Sequence, residues 1–229
     1  MSDFFIIAGP QAAGKSTVIY HLTNQCRNAS LLFPERPPLL LFPLQGSQQI
    51  IAHKYMHLGA IFMTLRHELE VVQCDLARMD IILKRRRDHL LYIDECNIFT
   101  IAHAMAHGIT GIEGYFDRYM RRLEKLQAKV IFLDVPLELS WERRRPVYEQ
   151  RLVYFKRSQR KKIMERYRAY QQRTYPLLRV IYDRVPCSKV MIDAHLSKGA
   201  LIEEVSRTLS YLSSSPERMF DMRLHGLIA

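Results

Sequence analysis

Gly9-Pro10-Gln11-Ala12-Ala13-Gly14-Lys15-Ser16 fits the pattern GxxxxGK[ST] in full. Residues of these types at this spacing handle phosphate. Gly9 and Gly14 let the backbone curl, so that the N–H groups of Gln11, Ala12, Ala13 and their neighbours can point inward at phosphate oxygens. A helix starting directly after the loop adds partial positive charge at its N-terminus. Lys15 is expected to reach the β- and γ-phosphates of a nucleotide, the Ser16 hydroxyl to hold Mg²⁺, and Thr17 to orient the α-phosphate side.

A second candidate is Asp94, which closes the apolar run Leu90-Leu91-Tyr92-Ile93 and is followed by Glu95. Open α/β sheets bind ligands at strand ends. A carboxylate there can hold Mg²⁺ through water or take the proton of an attacking hydroxyl. The plainer alternative is an acid that caps the next helix. Asp134 ends another apolar run and reads as such a cap for the helix after Pro136.

The elements that must position these groups follow from the hydrophobic pattern. Short apolar runs at Phe4–Ala8, Leu39–Phe42, Leu90–Asp94, Lys129–Asp134 and Val190–Ile192 read as buried strands. Between about Gln48 and Arg87 there is no proline. Leu58, Ile61, Phe62, Leu65, Leu69, Val72 and Leu76 recur there at helical spacing. Further helices are expected at Thr17–Gln25, Phe99–His107, Gly114–Gln127, Glu149–Thr174 and Lys198–Leu212. Strands that alternate with helices, and are apolar throughout, imply an α/β fold with a five-stranded parallel sheet between helices.

The composition is that of a globular chain: 229 residues, 48% hydrophobic and 25% charged. No apolar run approaches the ~20 residues of a membrane span, so no membrane partner is expected. The first residues carry no secretory signal pattern, and the four cysteines form no CxxC pair, so a cytoplasmic setting with free thiols is expected. The net charge is +11, and the window Arg143–Arg173 holds +10 of it, twelve Lys/Arg against Glu149 and Glu165. A basic segment this concentrated expects an anion: nucleotide phosphates, a polynucleotide or a membrane surface.

Taken together, these pieces resemble the thymidylate kinase-like and deoxynucleoside kinase-like P-loop kinases, from Phe4 to about Leu212. Ala60–Arg66 is similar to the family's LF-A-x-R helix, and Leu91–Glu95 stands where the family has its DR or ER pair. Val130–Pro136 followed by Glu142-Arg143-Arg144-Arg145 resembles YLDVPPEV…RR. Glu149, Phe155 and Tyr167 fall as in an E…F…Y helix, and Met191–Ala194 resembles the final IDA strand. The resemblance implies one P-loop kinase domain over residues 1–212, with a basic helical lid at about 143–160 and a tail at 213–229. It further implies ATP as donor, Mg²⁺, and transfer to a nucleoside, a nucleoside monophosphate or another small acceptor. Arg66 and Glu95 would meet the acceptor, and one of Arg143, Arg144 and Arg145, with Arg143 and Arg144 put first, would stabilise the charge on the moving phosphoryl group. Two elements depart from the family: Glu95 replaces an arginine, and Phe42–Gly46 replaces an acidic or Arg-Glu-Pro element.

Other readings stay open. Glu95 favours a nucleotide- or RNA-binding protein with weak NTP hydrolysis, and Tyr148, Tyr154, Phe155, Tyr167, Tyr170 and Tyr175 could stack bases. Aromatics on an amphipathic helix are more often core. The pairs His53/His57 and His103/His107 have zinc-compatible spacing but no evident third ligand. A homodimer is also left open.

Overall fold

The computed structural model describes residues 3–25, 30–33, 58–63, 65–85, 91–108 and 111–213. Five strands, β1 (Asp3–Ala8), β2 (Ser30–Phe33), β3 (Leu91–Glu95), β4 (Lys129–Asp134) and β5 (Ser188–Asp193), form one parallel sheet in the order β2-β3-β1-β4-β5. Four of the strands read from the sequence are present as β1, β3, β4 and β5. The run Leu39–Phe42 lies outside the described residues, and the sheet's second strand is instead Ser30–Phe33.

The helices are α1 (Lys15–Gln25), α2 (Leu65–Arg85), α3 (Thr100–Ala106), α4 (Glu113–Leu126), α5 (Leu137–Arg151), α6 (Arg160–Arg184) and α7 (Lys198–Leu212). Successive strand residues point to opposite faces, and the central strand divides accordingly. Phe5 and Ile7 pack with Val18, Ile19 and Leu22 of α1 and Leu201, Val205 and Leu209 of α7. Phe4, Ile6 and Ala8 pack with Val72, Leu76 and Met79 of α2, Phe116 and Tyr119 of α4, and Leu178 of α6. All five β1 side chains from Phe4 to Ala8 are buried. Each large one contributes about 1.5–3 kcal/mol of transfer free energy, which fixes the strand's place at the sheet centre.

The basic region is divided differently from the expected single helix at Glu149–Thr174. Arg143–Arg145 stand in the middle of α5, two short 3-10 turns at Leu152–Tyr154 and Arg157–Gln159 follow, and α6 runs on to Arg184. Pro146 and Pro176 lie inside these helices. An interior proline costs a helix ~3 kcal/mol. The offset comes from packing: Tyr148 of α5 joins Ile163, Tyr167 and Tyr170 of α6 in a third buried cluster with Ile61 and Ala106. The Tyr148 and Tyr167 rings stack at 4.2 Å. These tyrosines are therefore core. Asp134 does not cap α5; it pairs with Arg179 at 2.5 Å, and the α5 cap position is Pro136. Ser213, at the start of the expected tail, donates to Asp3 at 2.6 Å.

Candidate active site

The phosphate loop leaves β1 at Ala8 and enters α1 at Lys15. Its curl rests on three positive φ angles, at Gly9 (142°), Ala12 (58°) and Gly14 (96°). Gly9 is required twice over, because a Cβ there would meet the Leu133 carbonyl oxygen at 2.3 Å. The first turn of α1 contains no acidic residue of its own, so its N–H groups and dipole face the loop. Lys15 lies over the loop and donates to the Gly9 and Pro10 carbonyls at 3.0 and 2.9 Å.

The strand-end acids separate by parity. Glu95 shares a face with Leu91 and Ile93, the face covered by α1, and its Oε1 accepts from the Ser16 hydroxyl at 2.9 Å. Asp94 points to the opposite face with Tyr92, beneath α2. The structure thus brings Ser16 together with Glu95 and not with Asp94. Directly after Glu95 the backbone is left-handed at two consecutive non-glycine residues, Cys96 (66°) and Asn97 (40°). Such conformations cost on the order of 1–3 kcal/mol each. The Asn97 side chain holds the turn: Oδ1 accepts from the Ile98 N–H at 2.8 Å and Nδ2 donates to Asp94 at 2.7 Å.

Asp94 is fully buried in an ionic network. Arg78 Nη2 donates to Asp94 at 3.1 Å and to Asp75 at 2.6 Å; Asp75 also accepts from Thr100 and Tyr119, both at 2.8 Å. Burial pushes the Asp94 carboxyl up to about 7, against the pull of Arg78 and with help from Asp75. Burial raises Asp75 as well. Burial works against the charge on Arg78, but the two carboxylates outweigh it and hold the guanidinium protonated.

On the other side of the loop, α5 is tied to Gln11. The Tyr148 hydroxyl donates to Gln11 Oε1, and Ser140 Oγ donates to the Gln11 carbonyl at 2.7 Å. Arg144 stands 5.8 Å over the Tyr148 ring, and its Nε is buried with no hydrogen-bond partner among the described residues. Arg143 donates to the Ala194 carbonyl at 2.9 Å, and Arg145 pairs with Glu149 on the surface. Of the three arginines, Arg144 is therefore linked most directly to the phosphate loop.

No family model matches the sequence, and no curated protein matches it significantly. Solved structures do match. Deoxyadenosine kinase from M. mycoides with products dCMP and a flexible dCDP bound superposes with TM-score 0.54 at 15% identity, over 93% of this chain and all of the other. The same kinase with dATP bound gives TM-score 0.56 at 16% identity, over 91% and 98%. The chain has the fold of these kinases.

Within that fold, residues 9–17, the strand-end acids and the α5 arginines all lie around one end of the sheet. Arg66 is the second residue of α2, and its side chain lies outside the described residues, as do His53, His57 and the 42–46 segment. His103 Nδ1 bonds the Tyr170 hydroxyl at 2.7 Å, and His107 faces Glu68 at 3.7 Å, so this pair is used in packing. No metal-holding group of three or more His, Cys, Asp or Glu occurs among the described residues. Cys74, Cys96 and Cys187 are free thiols, and no described helix is long and apolar enough to cross a membrane. Asp75, Arg78, Asn97, Ser140, Tyr148 and Gln171 were not singled out as polar site-supporting groups from the sequence. The contacts of Ser140, Tyr148 and Gln171 span 31 to 137 positions, which no local pattern marks, and the i,i+3 pairs Asp75–Arg78 and Asp94–Asn97 become a network only through burial against other elements.

Proposed function

We propose that this protein is an ATP-dependent phosphotransferase acting on a neutral hydroxyl, with a nucleoside as the acceptor class. The observation that carries the reading is the Glu95 carboxylate beside Ser16 at the mouth of a full phosphate loop. The loop amides and Lys15 bind and orient the β- and γ-phosphates. Ser16 and Glu95 offer oxygen donors, the type Mg²⁺ takes, so the residues present fit that ion. Bound there, it would neutralise phosphate charge. Glu95 accepts the proton of the acceptor hydroxyl as that oxygen bonds to the γ-phosphorus and the bridging bond to the β-phosphate breaks. Arg144, with Arg143 beside it, stabilises the charge on the moving group. Asp94 is assigned a supporting role behind Glu95 instead of the direct role its strand-end position suggested. A carboxylate in this position repels an acceptor phosphate, which favours nucleosides over monophosphates. The free thiols fit a reducing, cytoplasmic setting.

The test is transfer from γ-labelled ATP to a panel of nucleosides, their monophosphates and small sugars. Label on a nucleoside hydroxyl is the expected result. Transfer confined to monophosphates would overturn the acceptor assignment, and phosphate release alone would overturn the phosphotransferase reading. A second reading, an RNA-binding protein with weak hydrolysis, is favoured by the exposed Lys156, Arg157, Arg160, Lys161 and Lys162. Contact with 6–10 RNA phosphates would cost roughly 10³–10⁵ in affinity between 50 and 200 mM salt, so a salt titration with an RNA oligomer separates the two.

A further inference from the structure

A cavity of about 120 Å³ lies in the seam between α5 and α6, away from Ser16 and Glu95, and Gln171 lines it. Gln171 is 4% exposed. Which way its amide faces follows from the count of protons. Ser140 Oγ gives its only hydrogen to the Gln11 carbonyl, so toward Gln171 it can only accept. The amide must therefore present Nε2 to Ser140, at 2.5 Å. Its Oε1 is left buried with no hydrogen-bond partner among the described residues. A buried carbonyl in that state calls for a donor.

The same cavity is lined by Glu138 and Glu142, one helical turn apart on α5, with Trp141 between them in sequence. Arg168 also lines it and stands 5.9 Å over the Trp141 ring, so the lining carries two carboxylates to one guanidinium and is net acidic within a chain of net charge +11. Three acceptor groups beside an indole suit a ligand made of N–H donors and positive charge. The volume corresponds to about four waters at ~30 Å³ each, room for a head group of a few heavy atoms. We propose that this cavity is a binding site for a small organic cation, an ammonium or guanidinium head group, held by Glu138, Glu142 and Gln171. The site stands independently of the phosphotransfer reading, because its occupancy is measured without nucleotide.

Trp141 is the chain's single tryptophan, so its fluorescence reports on this cavity directly. The full chain is titrated with methylguanidinium chloride and with methylammonium chloride, against sodium chloride of equal ionic strength. A saturable change with either organic cation and none with sodium is expected. Glu142→Gln, at an exposed position that leaves folding intact, and Gln171→Leu should each raise the half-saturation point about tenfold or more. An arginine tripeptide that binds as well as methylguanidinium assigns the source to a protein side chain, and one that fails where methylguanidinium succeeds assigns it to a free molecule; either result supports the head-group site. Absence of saturation overturns the proposal. So do unchanged titrations in both variants, which would mean that the small void lined by Pro10, Gln11 and Gln171 satisfies Oε1 with water.

Discussion

The Ser16 hydroxyl donates to Glu95 across 2.9 Å, joining the first turn of α1 to the end of β3 over 79 positions of sequence. The contact exists because Glu95, not its neighbour, has the parity that faces α1. The two acids should therefore respond differently to neutralisation.

Glu95→Gln keeps the shape and removes the proposed proton acceptor. The turnover number should fall about 10²–10⁴-fold while ATP affinity stays within a few-fold of wild type. Steady-state kinetics alongside binding of a fluorescent ATP analogue checks this; an undiminished turnover number would return the role to another group.

Asp94→Asn should act on stability and its pH dependence. Folded Asp94 keeps its proton up to about 7, whereas an unfolded aspartate releases it near ~3.9. Between those values the folded state binds more protons, so this group's contribution is fully present below about pH 4 and is lost as pH rises through 7. The variant removes that loss. Its melting temperature should gain on wild type from pH 4 to pH 8, and parallel melting curves at the two ends would refute the assignment.

Lys15→Ala removes the ammonium that lies over the loop. Phosphoryl transfer should drop about 10²–10³-fold or more with the circular dichroism spectrum unchanged. Turnover at the wild-type rate would remove Lys15 from the chemistry.

Gly9→Ala places a methyl group 2.3 Å from the Leu133 carbonyl oxygen at a φ of 142°. Strain and overpacking together should destabilise the fold by about 2–6 kcal/mol. Chemical denaturation measures it, and a loss under ~1 kcal/mol would mean that β4 yields at Leu133.

Among the α5 arginines, Arg144→Ala should lower kcat/KM by about 10²–10³-fold, because its guanidinium stands over the ring of Tyr148, whose hydroxyl holds Gln11. Arg145→Ala removes only an exposed pair with Glu149, worth about 0.3–0.5 kcal/mol. Equal losses in the two variants would contradict this ranking.

What was legible in the sequence was local. The β1–loop–α1 unit could be read because an apolar run, a spaced glycine pair and a helix follow one another without interruption. Ser30–Phe33 carries little signal in the sequence because four residues beside the prolines of 34–38 give little periodicity. The break at 152–159 was hidden because Pro146 and Pro176 suggest shorter helices, while the cluster that carries the helices past them involves Ile61 and Ala106 from distant elements. Asp94 looked like the working acid because it ends the apolar run. That α1 covers the face of Glu95 is a tertiary fact. Arg78, a cation on a helix of mixed polarity, is recognisable as buried only once Asp75 and Asp94 are seen against it.

The central position of β1 bears on synthesis of the chain. β1 gains its β4 neighbour only when Lys129–Phe132 has been made, 124 positions after the residues it pairs with. At ~5–20 residues per second that is roughly 6–25 s during which an apolar segment lacks one side of its sheet. Gly9 backs onto Leu133, so the loop after β1 cannot take its final shape on any shorter nascent chain. Fragments ending before β4 would expose this segment to chaperones and aggregation, and the protein's yield in a foreign host will depend on how that interval is covered.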